Sequence, residues 1–87
     1  MSYAILYRES VKREMRRLDS GVRRRVDAAI LALADNPRPS GCVKLSGPSG
    51  LWRIRVGDYR IVYEIRDEQL IVVVIGVAHR REVYRGL

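Results

Sequence analysis

Three arginines, Arg53, Arg55 and Arg60, stand close together on either side of the dipeptide Gly57-Asp58. A guanidinium is a planar fork that binds phosphate oxygens in a bidentate manner and stays protonated, so a cluster of them holds and stabilises negative charge. The group able to move a proton comes later, in the closing segment Ala78-His79-Arg80-Arg81-Glu82-Val83-Tyr84-Arg85. His79 is the only histidine of the chain. Its ordinary pKa near neutrality suits it to act as base or acid, the alternative being a plain surface residue. Tyr84 can stack on a base or offer its hydroxyl, or else pack its ring on a sheet edge.

The element that must position the arginines is a hairpin. Leu51 to Ile65 reads Leu-Trp-Arg-Ile-Arg-Val-Gly-Asp-Tyr-Arg-Ile-Val-Tyr-Glu-Ile, with apolar and polar residues alternating on both sides of Gly57-Asp58. That is the pattern of two half-buried strands joined by a two-residue turn, and glycine in first place suits the II′ type. Closing the turn with Val56 and Tyr59 pairs Arg55 with Arg60. One face then carries Trp52, Ile54, Val56, Tyr59, Ile61, Tyr63 and Ile65. The other carries Arg53, Arg55 and Arg60, with Val62 and Glu64 beyond. Like charges directly opposite across a ladder are destabilising by a few tenths of a kcal/mol or more. Such a pair makes sense where an anion sits between its members. The alternative is a solvated face with its charges splayed into water.

The remaining segments supply a platform. Tyr3 to Tyr7 reads as a short strand, a candidate for the sheet edge. Val11, Met15 and Leu18 fall at helical spacing and predict a helix over about Ser10 to Asp19. Ser20-Gly21 interrupts it, and Ser20 is placed to cap a second helix with the stripe Val22, Val26, Ala29, Ile30 and Leu33, ended by Asn36-Pro37. So short a connection makes an antiparallel helical hairpin, packed on the apolar face of the sheet. Arg13, Arg16, Arg17 and Arg23 to Arg25 read as the solvated outer faces of these helices, some of them free to meet RNA phosphates non-specifically. Pro37 to Gly50 is a loop interrupted by Val43-Lys44-Leu45, from which Lys44 can reach a neighbouring anion site. Ser46 to Gly50 is a turn and not a phosphate loop, since it lacks the Gly-Lys-Ser/Thr ending and opens a strand. Arg66 to Gln69 turns the chain into Leu70 to Ala78, whose continuous apolar character predicts a central strand. Pairing 66 with 69 across that turn would put Ile75, Val77 and His79 on the face of Arg60, and a one-residue slip would reverse the assignment.

The 87 residues carry a formal net charge of +7 and a pI of about 10.3, which points to a polyanionic partner, nucleic acid or an acidic protein. The length fits one domain, residues 1–87. A lone cysteine, Cys42, makes no internal disulfide and no metal site, which suits a reducing cytoplasm. No signal peptide is visible, and the longest apolar run is too short to span a bilayer, so no membrane role is expected.

With the strand, the helical hairpin, the block Trp-Arg-Ile-Arg-Val-Gly-Asp-Tyr-Arg-Ile-Val-Tyr and the closing His-Arg-Arg-Glu-Val-Tyr-Arg, nearly the whole chain resembles the RelE/ParE superfamily of bacterial toxins, and is closest to the RelE branch. The resemblance implies an α+β fold: an N-terminal strand and two helices on a mostly antiparallel four-stranded sheet. It implies a toxin that is a ribosome-dependent mRNA endonuclease, with no cofactor or metal, held inactive by a cognate RelB-like antitoxin. The family's two lysines on the first hairpin strand fall here on Arg53 and Arg55, and the arginine of its Tyr-Arg motif on Arg60. The arginine after the last strand falls on Arg80, with Arg81 competing, and the tyrosine of the closing Val-Tyr on Tyr84. A histidine near this terminus is matched by His79.

Arginine in place of lysine matters. Cleavage of this kind needs a base for a ribose 2′-hydroxyl, stabilisation of a doubly charged transition state, and an acid for the leaving 5′-oxygen. Arginine, with a pKa of ~12 or above, supplies only the second. The expected division of labour is therefore His79 as base, with Arg55, Arg60 and Arg80 stabilising the phosphorane. Tyr84 or Arg81 would assist or stack, Arg53 and Lys44 would bind RNA, and Glu64 is a weaker candidate for base. The rivals are a ParE-like inhibitor of DNA gyrase without nuclease activity, and a catalytically dead module that binds RNA or antitoxin.

Overall fold

The hairpin forms around Gly57-Asp58 with the expected register. In the computed structural model, which describes residues 2–45 and 50–79, Arg55 lies opposite Arg60, Val56 opposite Tyr59, Ile54 opposite Ile61 and Trp52 opposite Tyr63. Gly57 has φ +58° and Asp58 keeps a negative φ, the combination a II′ turn requires. The Arg25 guanidinium lies beside this turn.

The elements run β1 (Ala4–Tyr7), α1 (Glu9–Arg16), α2 (Ser20–Ala32), β2 (Val43–Lys44), β3 (Leu51–Val56), β4 (Tyr59–Arg66), a 3₁₀ turn (Asp67–Gln69) and β5 (Ile71–His79). They make an α+β fold with a mixed sheet in the order β1-β5-β4-β3-β2, antiparallel except for the β1–β5 pair. The expected four strands become five because Val43–Lys44 pairs with Arg53 and Trp52 as a two-residue edge strand. β1 is the opposite edge and β5 is central, as their compositions require.

α1 buries Val11 and Met15, one helical turn apart, and carries Glu9 in its first turn and Arg13 and Arg16 in its last, each favourable to the helix dipole. The cap of α2 is Asp19, one residue before the expected Ser20. Its carboxylate accepts from the Val22 N–H at 3.0 Å, and Ser20 becomes the first helical residue. The hairpin lies on one face of the sheet, α1 over β5 and α2 over β3. Between the layers Val11, Met15, Val26, Ile30 and Leu33 close on Ile54, Ile61, Tyr63, Ile65, Val72, Val74 and Val77. Each aliphatic side chain so buried contributes about 1.5–3 kcal/mol. No helix among the described residues is long and apolar enough to cross a membrane.

The β4–β5 register departs from expectation. The 3₁₀ turn and Leu70, left-handed at φ 54°, lengthen the connection so that Arg66 pairs with Ile71 instead of with Gln69. That change alone moves the partner by two residues and keeps the faces as expected. A bulge then puts one extra residue into β5: Tyr63 faces Val74, whereas Val62 faces Gly76. Beyond it Ile61 faces Val77, Arg60 faces Ala78 and Tyr59 faces His79. One inserted residue exchanges the two faces of everything that follows. Val77 and His79 therefore lie on the helix side, and the expectation that they share the face of Arg60 is corrected.

Candidate functional site

The sheet face away from the helices holds the arginines. Arg55 and Arg60 are a directly opposed pair on neighbouring strands, and Arg53 precedes Arg55 by one alternation, opposite Val62. Arg55 is exposed, while Arg53 and Arg60 are half-buried. Val62, on the same face, is fully buried and stands apart from the helix-side core. Across the ladder from Val62 and Arg60 stand Gly76 and Ala78, the two smallest side chains the strand could offer. The outcome is a row of cations on the central strands, with Gly76 buried and the Arg60 Nε shielded from solvent. Guanidinium groups gathered on one face of a sheet are suited to stabilise charge developing on a phosphate.

The other candidate residues are distributed differently. His79 pairs with Tyr59, and their rings meet edge to face at a centroid distance of 5.3 Å and an interplanar angle of 86°. Together with Glu14, Arg17, Leu18, Val77 and Ala78 they line a cleft of about 210 Å³ on the helix side. One wall is fixed by Glu14, whose Oε1 accepts from the Val77 N–H at 3.1 Å, past the point where β1 has ended. The imidazole is thus separated from the arginine row by the thickness of the sheet, and the expected grouping of base and cations does not form. Lys44 is exposed opposite Trp52, on the side of the sheet opposite Arg53. Glu64 does share the arginine face, between Leu51 and Val73, but its Oε1 is held by the Arg66 Nε at 2.8 Å. Arg80, Arg81 and Tyr84 lie outside the described residues. Among the described residues no three His, Cys, Asp or Glu side chains gather as metal ligands would.

At the other end of the sheet is a cluster that local sequence patterns do not reveal. Arg38 grips Asp67 with two hydrogen bonds, at 2.8 and 3.1 Å, and stacks over Trp52 at 5.1 Å. The Tyr3 hydroxyl donates to the same carboxylate at 2.7 Å. These donors, Arg38 first, hold the Asp67 carboxyl down at about 2. Close by, the buried Tyr63 hydroxyl donates to the Pro37 carbonyl at 2.7 Å, and burial lifts its phenol well above the usual range. The loop after α2 is thereby tied to the residue before β1, to β3, to β4 and to the 3₁₀ turn. Its members are brought together only by the tertiary fold, and an arginine beside Pro37 in a loop is the sole local hint.

Comparison with known proteins fits this architecture. The model of a family described as ParE toxin of type II toxin-antitoxin system, parDE, matches residues 5–84. A putative RelE-like toxin protein of Escherichia coli is 34% identical over 83 residues, covering 92% of this chain and 85% of that one. The mRNA interferase toxin RelE of Escherichia coli is 33% identical over 88 residues, covering 97% and 92%. The crystal structure of the intact Escherichia coli RelBE toxin-antitoxin complex contains a chain that superposes with a TM-score of 0.79 at 30% identity, over 90% of this chain and 96% of that one. Likeness that runs from β1 through the helical hairpin and both arginine strands to Tyr84 makes this chain a member of the RelE/ParE superfamily of toxins from type II toxin–antitoxin systems, on its RelE branch.

Proposed function

We propose that the chain is an mRNA interferase, cutting messenger RNA in the ribosomal decoding site by attack of a ribose 2′-oxygen on the adjacent phosphorus. The observation that carries this reading is the opposed pair Arg55–Arg60 on the helix-free face. The names of the RelE relatives support it. In the cleavage step the 2′-oxygen bonds to phosphorus, the bond to the 5′-oxygen breaks, and a 2′,3′-cyclic phosphate and a 5′-hydroxyl result. Arg55 and Arg60 neutralise the non-bridging oxygens as the second negative charge develops, and Arg53 anchors a neighbouring phosphate. Arg80 completes the cation set and Tyr84 stacks on a base. This chemistry needs no metal. His79 is turned to the other side of the sheet, so the 2′-proton passes to solvent or to a group of the ribosome, and leaving-group protonation comes from the same surroundings.

The partner that restrains the toxin is a RelB-like antitoxin. Solved RelE–RelB complexes of similar fold support this assignment, as does the net charge of +7. The cytoplasm, where ribosomes and message are found, is the site of action.

The ParE description of the matching family model favours a second reading, a toxin that acts on DNA gyrase and leaves RNA intact. Primer extension on translated mRNA after induction separates the two. Codon-phased cuts identify an interferase, whereas intact message accompanied by DNA damage identifies a gyrase poison.

A further inference from the structure

We propose that His79 and Tyr59 form an aromatic clasp on the helix side that positions Arg60, on the other face, for cleavage; this rests on the interferase reading above. Among the described residues the two rings belong to the outermost pair of the β4–β5 ladder, on the strand that leaves the hairpin turn at Tyr59. The next pair inward is Arg60 with Ala78, so the clasp secures the segment from which Arg60 projects. Glu14 adds a second anchor by holding the Val77 N–H.

A clasp of this kind requires an aromatic ring at position 79 and not a titrating one. Among the described residues that line the cleft with the imidazole, the charged or titratable ones are Glu14 and Arg17 from α1 and Tyr59 from β4. None of them is placed among the arginines of the opposite face. His79 is accordingly a positioning residue, and what distinguishes it from a general base is the response to phenylalanine, which keeps a ring and loses the proton.

The test compares wild type, His79→Phe and His79→Ala as full-length proteins. Ribosome-dependent cleavage is measured from pH 5.5 to 8.5, and the Arg60 Nε–H resonance is recorded without substrate. His79→Phe is expected to keep kcat within about threefold of wild type with the same pH profile, and His79→Ala to lose about tenfold or more in kcat through misplacement of the cation. The Arg60 resonance should move in His79→Ala and stay in place in His79→Phe. Loss of activity in His79→Phe, or of a titrating limb present in wild type, would overturn the proposal in favour of a base. An Arg60 resonance unmoved in His79→Ala would overturn it too. If wild type itself leaves translated mRNA intact, the interferase reading falls, and the resonance alone still decides whether the clasp holds Arg60.

Discussion

Arg60 and His79 sit one ladder step apart on opposite faces of the same sheet: Arg60 faces Ala78, and His79 faces Tyr59. Adjacent residues of a strand point to opposite sides, so this histidine and this arginine project from different faces although they are close in the fold.

The opposed arginines make stability and function pull apart. In Arg55→Glu a cross-strand ion pair with Arg60 replaces like-charge repulsion. The fold should gain about 0.2–1 kcal/mol, read as a higher denaturation midpoint, while cleavage is lost. A variant with a lower midpoint and retained cleavage would show that the two guanidinium groups do not act as a pair.

Lys44 provides a contrast on the other side of the sheet. Lys44→Ala should leave cleavage within about twofold of wild type and change only the salt dependence of RNA binding slightly. Titration of cleavage against ionic strength in both proteins checks this.

Removing the Glu14 carboxylate tests the join between α1 and β5. Glu14→Ala leaves the Val77 N–H without its acceptor, at a cost of about 1–3 kcal/mol. Chemical denaturation measures the loss, and hydrogen exchange at Val77 should accelerate in step with it.

Asp67 sets an acid limit. Its carboxyl is held at about 2, below the ordinary 3.8, by Arg38 and Tyr3. A depressed folded pKa adds stability that is fully present above the unfolded value and disappears as pH falls through about 4 towards 2. Asp67→Asn should therefore flatten the dependence of the denaturation midpoint on pH across that window, and show a lower midpoint than wild type near neutrality.

Much of this fold was legible because its cues are local. Alternation from Trp52 to Ile65 with Gly57 at the turn was enough for the β3–β4 register and hence for the opposed arginines, and the spacing of Val11 and Met15 gave α1. Ser20 and Asp19 are both good caps side by side, so only the observed bond to the Val22 N–H distinguishes them. The position of His79 was lost at a single inserted residue. Gly76 was the available cue, since a glycine inside an apolar strand often marks a bulge. The Arg38–Asp67–Tyr3 cluster joins residues from distant parts of the chain and has no local pattern to read. The family likeness reached the same fold by another route, but it could not tell which face His79 occupies.

The most direct test of the arginine face is the rate at which Arg60→Ala cuts translated mRNA in the presence of ribosomes, followed by primer extension beside wild type. Codon-phased cuts by wild type and a loss of about 100-fold or more in the variant, with its fold intact by circular dichroism, are the predicted result. An Arg60→Ala protein that cuts at the wild-type rate would contradict the account.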